Sequence, residues 1–157
     1  MEPGALGRTA AQRDLVRRGY DAIPLAYRSD DGQPPSSSAE DVSRCVQADM
    51  TEVRLRPGSV DAVVSFYALI HVPLEDQRTL FPRIRSWLRD GGYLPAITGA
   101  DRWTGTESYL GAEMFWELAD TATYLRWLTS ARREPVWRRY IPAGDSRHTL
   151  VLARAAG

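Results

Sequence analysis

Tyr67 and His71 stand four residues apart in the stretch VDAVVSFYALIHVP, Val60 to Pro73. An imidazole there is a candidate general base, and the phenol hydroxyl beside it a candidate for positioning a substrate. If the segment after the apolar run turns helical, that spacing puts both rings on one side. The bland alternatives are that His71 caps the helix that follows or lies at the surface before Pro73. Other chemistries are excluded by composition. All 20 basic residues are arginine, which removes lysine Schiff-base chemistry and a P-loop lysine. Cys45 is the sole cysteine, so no intrachain disulfide forms, and it reads as a small buried apolar residue. His71 and His148 have no ligand-spaced partners, so no metal site is expected. His148 falls in a terminal strand and reads as structural.

The elements that must position this pair follow from periodicity and punctuation. The chain has 157 residues, 43% of them hydrophobic and 25% charged, which suits a single globular domain with a workable core. Acidic and basic residues cancel, leaving no footprint for nucleic acid or an anionic membrane. No apolar run reaches membrane-spanning length, and the N-terminus lacks the apolar core of a secretory signal, so a cytoplasmic protein is expected. Thr9 is a candidate cap for a helix through AAQRDLVRRGYDAI, which Pro24 is expected to kink or end. RSDDGQPPSSS, residues 28–38, reads as a linker or mobile loop, and AEDVSRC as a short helix capped by Ser38. VQADM reads as a short strand. Val60 to Phe66 suits a strand covered on both faces. Leu74 to Leu88 reads as a helix with Leu80, Ile84, Trp87 and Leu88 on one face, interrupted by Pro82 and closed by a left-handed glycine in RDGG. YLPAIT is the next strand. Asp120 caps a helix to Ala131, and VWRRYI and HTLVLAR form a final antiparallel hairpin. Strands alternating with helices indicate an α/β sheet.

The stretch QADMTEVRLRPGSVDAVVSFYALIHVPLEDQ, followed by LRDGGYL, RWTGTESYLGAEMFW and HTLVLAR, resembles the later half of a class I S-adenosylmethionine-dependent methyltransferase. The likeness covers roughly residues 39–154. It implies a Rossmann-like sheet of which family strands three to seven are present, with flanking helices and the C-terminal antiparallel hairpin. In such open sheets ligands lie across the carboxyl ends of the strands. The resemblance implies that Asp49 bonds the adenine amino group with Met50 against the ring. Phe66 and Tyr67 would line the cavity, and His71 would stand near the reacting centre. Trp103, Tyr109, Phe115 and Trp116 fall where the family covers its substrate; core or dimer-interface roles are the alternatives.

The sequence departs from that family at its start. The pattern D-x-G-x-G-x-G is absent, as is the second strand with its acidic end, and Gly32 is the only glycine in the join from 28 to 38. The methionine end and ribose of S-adenosylmethionine therefore lack a holder. Lost polar contacts at about 1–3 kcal/mol each predict weak or absent binding in a lone chain. Removing two strands also bares an apolar edge at Val60–Phe66, which predicts a homodimer or strand exchange through that edge. Pro95 stands inside a strand that is central in the family. Three functions remain open: methyl transfer to a small molecule with the site completed by a dimer partner; cofactor-independent acid–base work such as cyclisation or isomerisation; and a non-catalytic partner of a full-length methyltransferase.

Overall fold

The computed structural model describes residues 3–22, 48–143 and 146–157. The expected linker at 28–38 and the expected helix at 39–45 lie outside these residues. Helix α1 spans Pro3–Ala22. It begins before Thr9, which lies inside it rather than capping it. Gly19 lets α1 approach the backbone at Glu113 closely: a Cβ there would stand 2.8 Å from the Glu113 carbonyl oxygen.

Strand β1 (Val60–Ala62) runs parallel to β2 (Leu88–Gly99). The C-terminal strands β5 (Arg133–Ala143) and β6 (Ser146–Ala155) complete a four-stranded sheet in the order β1-β2-β6-β5. β6 is antiparallel to both neighbours. Helices α2 (Leu74–Trp87) and α3 (Thr121–Ser130) supply the rest of the core. Leu80, Phe81, Ile84, Trp87, Tyr124 and Leu128 pack with Leu94, Ala96, Val151 and Ala153 of the sheet. This is the Rossmann-like α/β arrangement the sequence indicates, with its C-terminal antiparallel hairpin. Among the described residues of VQADM no strand forms: Ala48 and Asp49 are irregular and Met50 begins a turn.

The two prolines are accommodated for different reasons. Pro82 does not interrupt α2, which is continuous through it. It lies on the exposed side, as does Arg78 one turn earlier. The carbonyl that Pro82 cannot bond therefore faces water, while the buried face holds the helix. Pro95 sits in the middle of β2 opposite Leu152. Val63 donates to the Tyr93 carbonyl, Ser65 to the Pro95 carbonyl, and Ile97 to the Ser65 carbonyl. The one rung missing from this ladder is an amide from residue 95 to the Val63 carbonyl, which proline cannot make. Regular β1 accordingly stops at Ala62 and resumes as a single bridge between Ser65 and Ala96. The pairing of β2 with β6 is untouched. The RDGG glycine is not a helix cap either. α2 ends on an extended Leu88, and Gly91 (φ 76°) serves the irregular start of β2, where the β1–β2 register shifts.

A two-stranded hairpin, β3 (Trp103–Tyr109) and β4 (Ala112–Leu118), stands apart from the sheet. Its turn is Leu110–Gly111, with φ of 50° and 88°. Positive φ at both central residues suits a tight hairpin, where asparagine or glycine is the usual first residue. Leucine there costs about 1–2 kcal/mol. Leu110→Asn is expected to stabilise the protein by about 1 kcal/mol, read as a rise in Tm. An unchanged or lower Tm would contradict this account of the turn.

Candidate functional site

A cavity of about 750 Å³ lies between α1, the loop after β1, the hairpin, and the facing ends of β2 and β6. Tyr20, Tyr67, His71, Trp103, Tyr109, Trp116 and His148 supply its rings, and Asp101, Arg102, Glu107 and Arg147 its charges. His71 occupies a 3-10 turn, Leu69–His71, whose first two residues are buried. Its Nδ1 stands 3.0 Å from the Phe115 carbonyl oxygen and its Nε2 2.9 Å from the Tyr20 hydroxyl. A carbonyl only accepts, so Nδ1 carries the proton and Nε2 accepts from the Tyr20 O–H. Burial pushes the His71 pKa below its ordinary value of 6.5, and the bond to Phe115 opposes that shift. The ring is a neutral base with its lone pair directed at a phenol.

Tyr67 is held at φ 56°, a conformation that costs a non-glycine residue free energy and is found where geometry serves a site. It does not meet His71 in a ring contact or hydrogen bond. Its ring instead stands edge-on to His148, centroids 5.2 Å apart. His71 is partnered by Tyr20, edge-on at 5.4 Å. The cavity thus holds two tyrosine–histidine pairs, each made between distant parts of the chain. From the sequence alone Tyr20 is not assigned to the site, and His148 reads as structural. Tyr20 looks like one more apolar position of an amphipathic helix, and His148 like one more residue of a terminal strand. His148 is 7% exposed, with Nδ1 buried and unpartnered among the described residues. Burial lowers its pKa, and the Thr98 backbone partly opposes this.

The aromatic residues expected to cover a substrate divide. Trp103, Tyr109 and Trp116 line the cavity, with Trp116 stacked obliquely 5.4 Å from His71 and 6.3 Å from Trp103. The Phe115 side chain is buried, 4% exposed, and outside the lining; its backbone carbonyl is what serves the site. Asp49, Met50 and Phe66 do not line the cavity. The Asp49 carboxylate accepts from the Thr51 amide and hydroxyl, both at 2.7 Å. Met50 packs partly against the core, and Phe66 is 55% exposed. The 49–53 turn is tied down by Arg83, which donates to the Thr51 and Val53 carbonyls, and by Arg13, which donates to Thr51 Oγ1. The Asp49 Oδ1 that the resemblance assigns to adenine is engaged by its own turn. Among the described residues no group of histidine, cysteine and carboxylate side chains could hold a metal ion. No described helix is long and apolar enough to cross a membrane.

One buried amide fixes the cavity wall. Gln77, fully buried on α2, donates from Nε2 to the Val72 carbonyl at 2.6 Å and to the Glu117 carbonyl at 2.8 Å. Its Oε1 accepts from the Tyr124 hydroxyl at 2.7 Å, a phenol whose pKa burial raises to about 12. The Glu117 carboxylate accepts from the Leu74 amide at 2.8 Å, serving as a distant cap for α2, whose own N-cap residue is Pro73.

Comparison with known proteins agrees with this architecture. Residues 13–96, just over half of the chain, match the family model described as Methyltransferase domain. No curated protein matches the chain. Among solved structures, the 1,6-didemethyltoxoflavin-N1-methyltransferase of Burkholderia thailandensis, with bound 1,6-didemethyltoxoflavin and S-adenosylhomocysteine, is 15% identical with a TM-score of 0.60; the match covers 98% of this chain and 81% of that one. A SAM-dependent methyltransferase of Methanosarcina mazei is 13% identical with a TM-score of 0.58, covering 69% of this chain and 65% of that one. The [4+2]-cyclase SpnF is 15% identical with a TM-score of 0.52, covering 72% and 55%. At these identities the likeness is one of fold.

Two outcomes test the site's construction. Gln77→Ala strands two carbonyls and a phenol at about 1–3 kcal/mol each, so a loss of about 3 kcal/mol or more is expected in denaturant unfolding. A loss below about 1 kcal/mol would rule out the network's role. Burial lowers the folded pKa of both imidazoles, His71 half-buried and His148 buried, below their unfolded values. Their contribution is fully present above about pH 6.5 and is lost as pH falls below it. Tm measured from about pH 8 to about pH 5.5 should fall on the acid side, less steeply in His71→Asn.

Proposed function

The chain belongs to the methyltransferase domain family, and we propose that it works on a small molecule in this cavity by acid–base chemistry, without holding S-adenosylmethionine in a lone subunit. The observation that carries the reading is the hydrogen-bonded series from Tyr20 through His71 to the Phe115 carbonyl, which opens onto an aromatic-walled cavity. A substrate proton passes to the Tyr20 oxygen as the Tyr20 proton passes to Nε2. The Nδ1–H keeps its bond to Phe115 throughout, so the ring does not have to turn. A base whose pKa lies below neutrality is unprotonated at working pH and ready for transfer. The walls of Trp103, Trp116 and Tyr109 hold the substrate and exclude water. That one fold neighbour is a methyltransferase and another a [4+2]-cyclase supports treating the fold as compatible with either chemistry.

A second reading, methyl transfer in a site completed by another copy, is favoured by the sheet edge. Val64 and Phe66, just beyond β1, are 58% and 55% exposed. The backbone bonds of this segment toward β2 are made by Val63 and Ser65, so the alternate residues turn toward the outer edge, where a strand from a second chain would pair. On this reading the protein is a homodimer.

The tests separate the two. Calorimetry with S-adenosylhomocysteine is expected to show no heat up to about millimolar ligand for the monomer isolated by size-exclusion chromatography with light scattering. Micromolar binding to a monomer would overturn the first reading, and binding confined to a dimer would favour the second. Cofactor-free turnover is expected to vanish in His71→Asn and to fall in Tyr20→Phe. Full activity in the His71 variant would end the assignment of the base.

A further inference from the structure

The cavity is electrically uneven along its length. At one end the connection from β2 to β3 brings Asp101 and Arg102 against Arg147 and His148 at the start of β6. Arg147 Nε pairs with Asp101 at 2.9 Å, so those two charges cancel. Arg102 takes part in none of the ion pairs among the described residues. The remaining lining carboxylate, Glu107, stands four residues along β3 from Trp103, about 13 Å at ~3.3 Å per residue. Glu107 forms no ion pair with Arg102 among the described residues, so the guanidinium is left without a carboxylate partner. His148 also lines this end, with its Nδ1 buried and unpartnered among the described residues.

Between the two ends lies an aromatic floor. The Trp103 indole folds over Gly105: a Cβ at that glycine would come within 2.8 Å of the ring. Trp116 continues the floor, 6.3 Å from Trp103 and 6.0 Å from Tyr109. Gly105 is therefore what allows Trp103 to lie back on the hairpin and leave the cavity open above it.

Resting on the small-molecule reading above, we infer that the ligand is a planar aromatic carboxylate, its ring on the Trp103–Trp116 floor and its acid group on Arg102 beside His148. One unpaired guanidinium suits a monoanion and matches a carboxylate's two oxygens. A phosphate dianion would call on a second cation, and Arg147 is already engaged. The floor supplies stacking and cation–π surface, and the carboxylate sets which way round the ring lies relative to the Tyr20–His71 pair.

Tryptophan fluorescence titration with three probes of one shape tests this: 4-hydroxybenzoate, 4-hydroxybenzamide and tyramine. In the intact protein at low salt the carboxylate is expected to bind roughly fivefold tighter than the amide, with tyramine weakest. Arg102→Gln, a change at an exposed position, should bring carboxylate and amide together without weakening the amide. Gly105→Val, which pushes Trp103 into the cavity, should weaken both. Equal binding of carboxylate and amide by the intact protein, or a preference that survives Arg102→Gln, would overturn the assignment of ligand class while leaving the cavity reading in place. Failure of all three probes to bind would count against both readings, unless cofactor-free turnover in the separate assay preserved the cavity.

Discussion

Gln77 is the constraint on which the site's geometry depends. A side-chain amide has two donors and one acceptor oxygen, and here both kinds are used at once, in a place from which water is excluded. The loop that carries His71, the end of the hairpin strand that carries Trp116, and helix α3 all meet at this group through Val72, Glu117 and Tyr124. Hydrogen bonds among groups this deeply buried are costly to leave unmade, so the three segments keep one mutual arrangement. The Phe115 carbonyl that fixes the His71 tautomer lies two residues before Glu117 on β4. The amide at residue 77 therefore reaches the imidazole through the strand, without touching it.

Helix α1 closes the site from outside this network. Tyr20 meets His71 at one end of the cavity, and Arg13 bonds Thr51 and lies 3.8 Å from Asp76 at the start of α2. Gly19 permits the helix to sit close on β4. A single N-terminal helix thus contributes both a cavity residue and the ties that hold the Asp49 turn. The cavity wall and the Asp49 turn are thus tied to the same helix, one through Tyr20 and the other through Arg13.

The sheet's two faces differ. Leu94, Ala96, Val151 and Ala153 face the helices in one continuous core. The other face carries Tyr93 and Trp137, at 42% and 46% exposure, opposite Arg154 and Leu152. Among the described residues, Tyr93 and Trp137 on this face and Val64 and Phe66 beyond β1 are exposed apolar positions of the sheet, which is the physical basis for proposing a second chain.

Local features of the sequence were enough for much of this. The apolar stripe of α2, the Asp120 cap, whose carboxylate accepts from the Thr123 amide, and the last two strands all rest on spacing between near neighbours, and near-neighbour chemistry is written in the order of residues. The missing glycine-rich loop was equally legible, because a backbone that must approach a phosphate-sized or carboxylate group needs glycine at fixed places. The hairpin β3–β4 was not, since its turn uses leucine where positive φ usually selects asparagine or glycine. Nor was the tolerance of Pro82 and Pro95, which depends on which side of each element its missing amide faces. The pairings of Tyr20 with His71 and of Tyr67 with His148 join residues 51 and 81 positions apart. The chain order fixed which rings were present; only packing decided which ring meets which nitrogen, because the directions of a carbonyl and a hydroxyl toward an imidazole exist only once distant segments have been brought together.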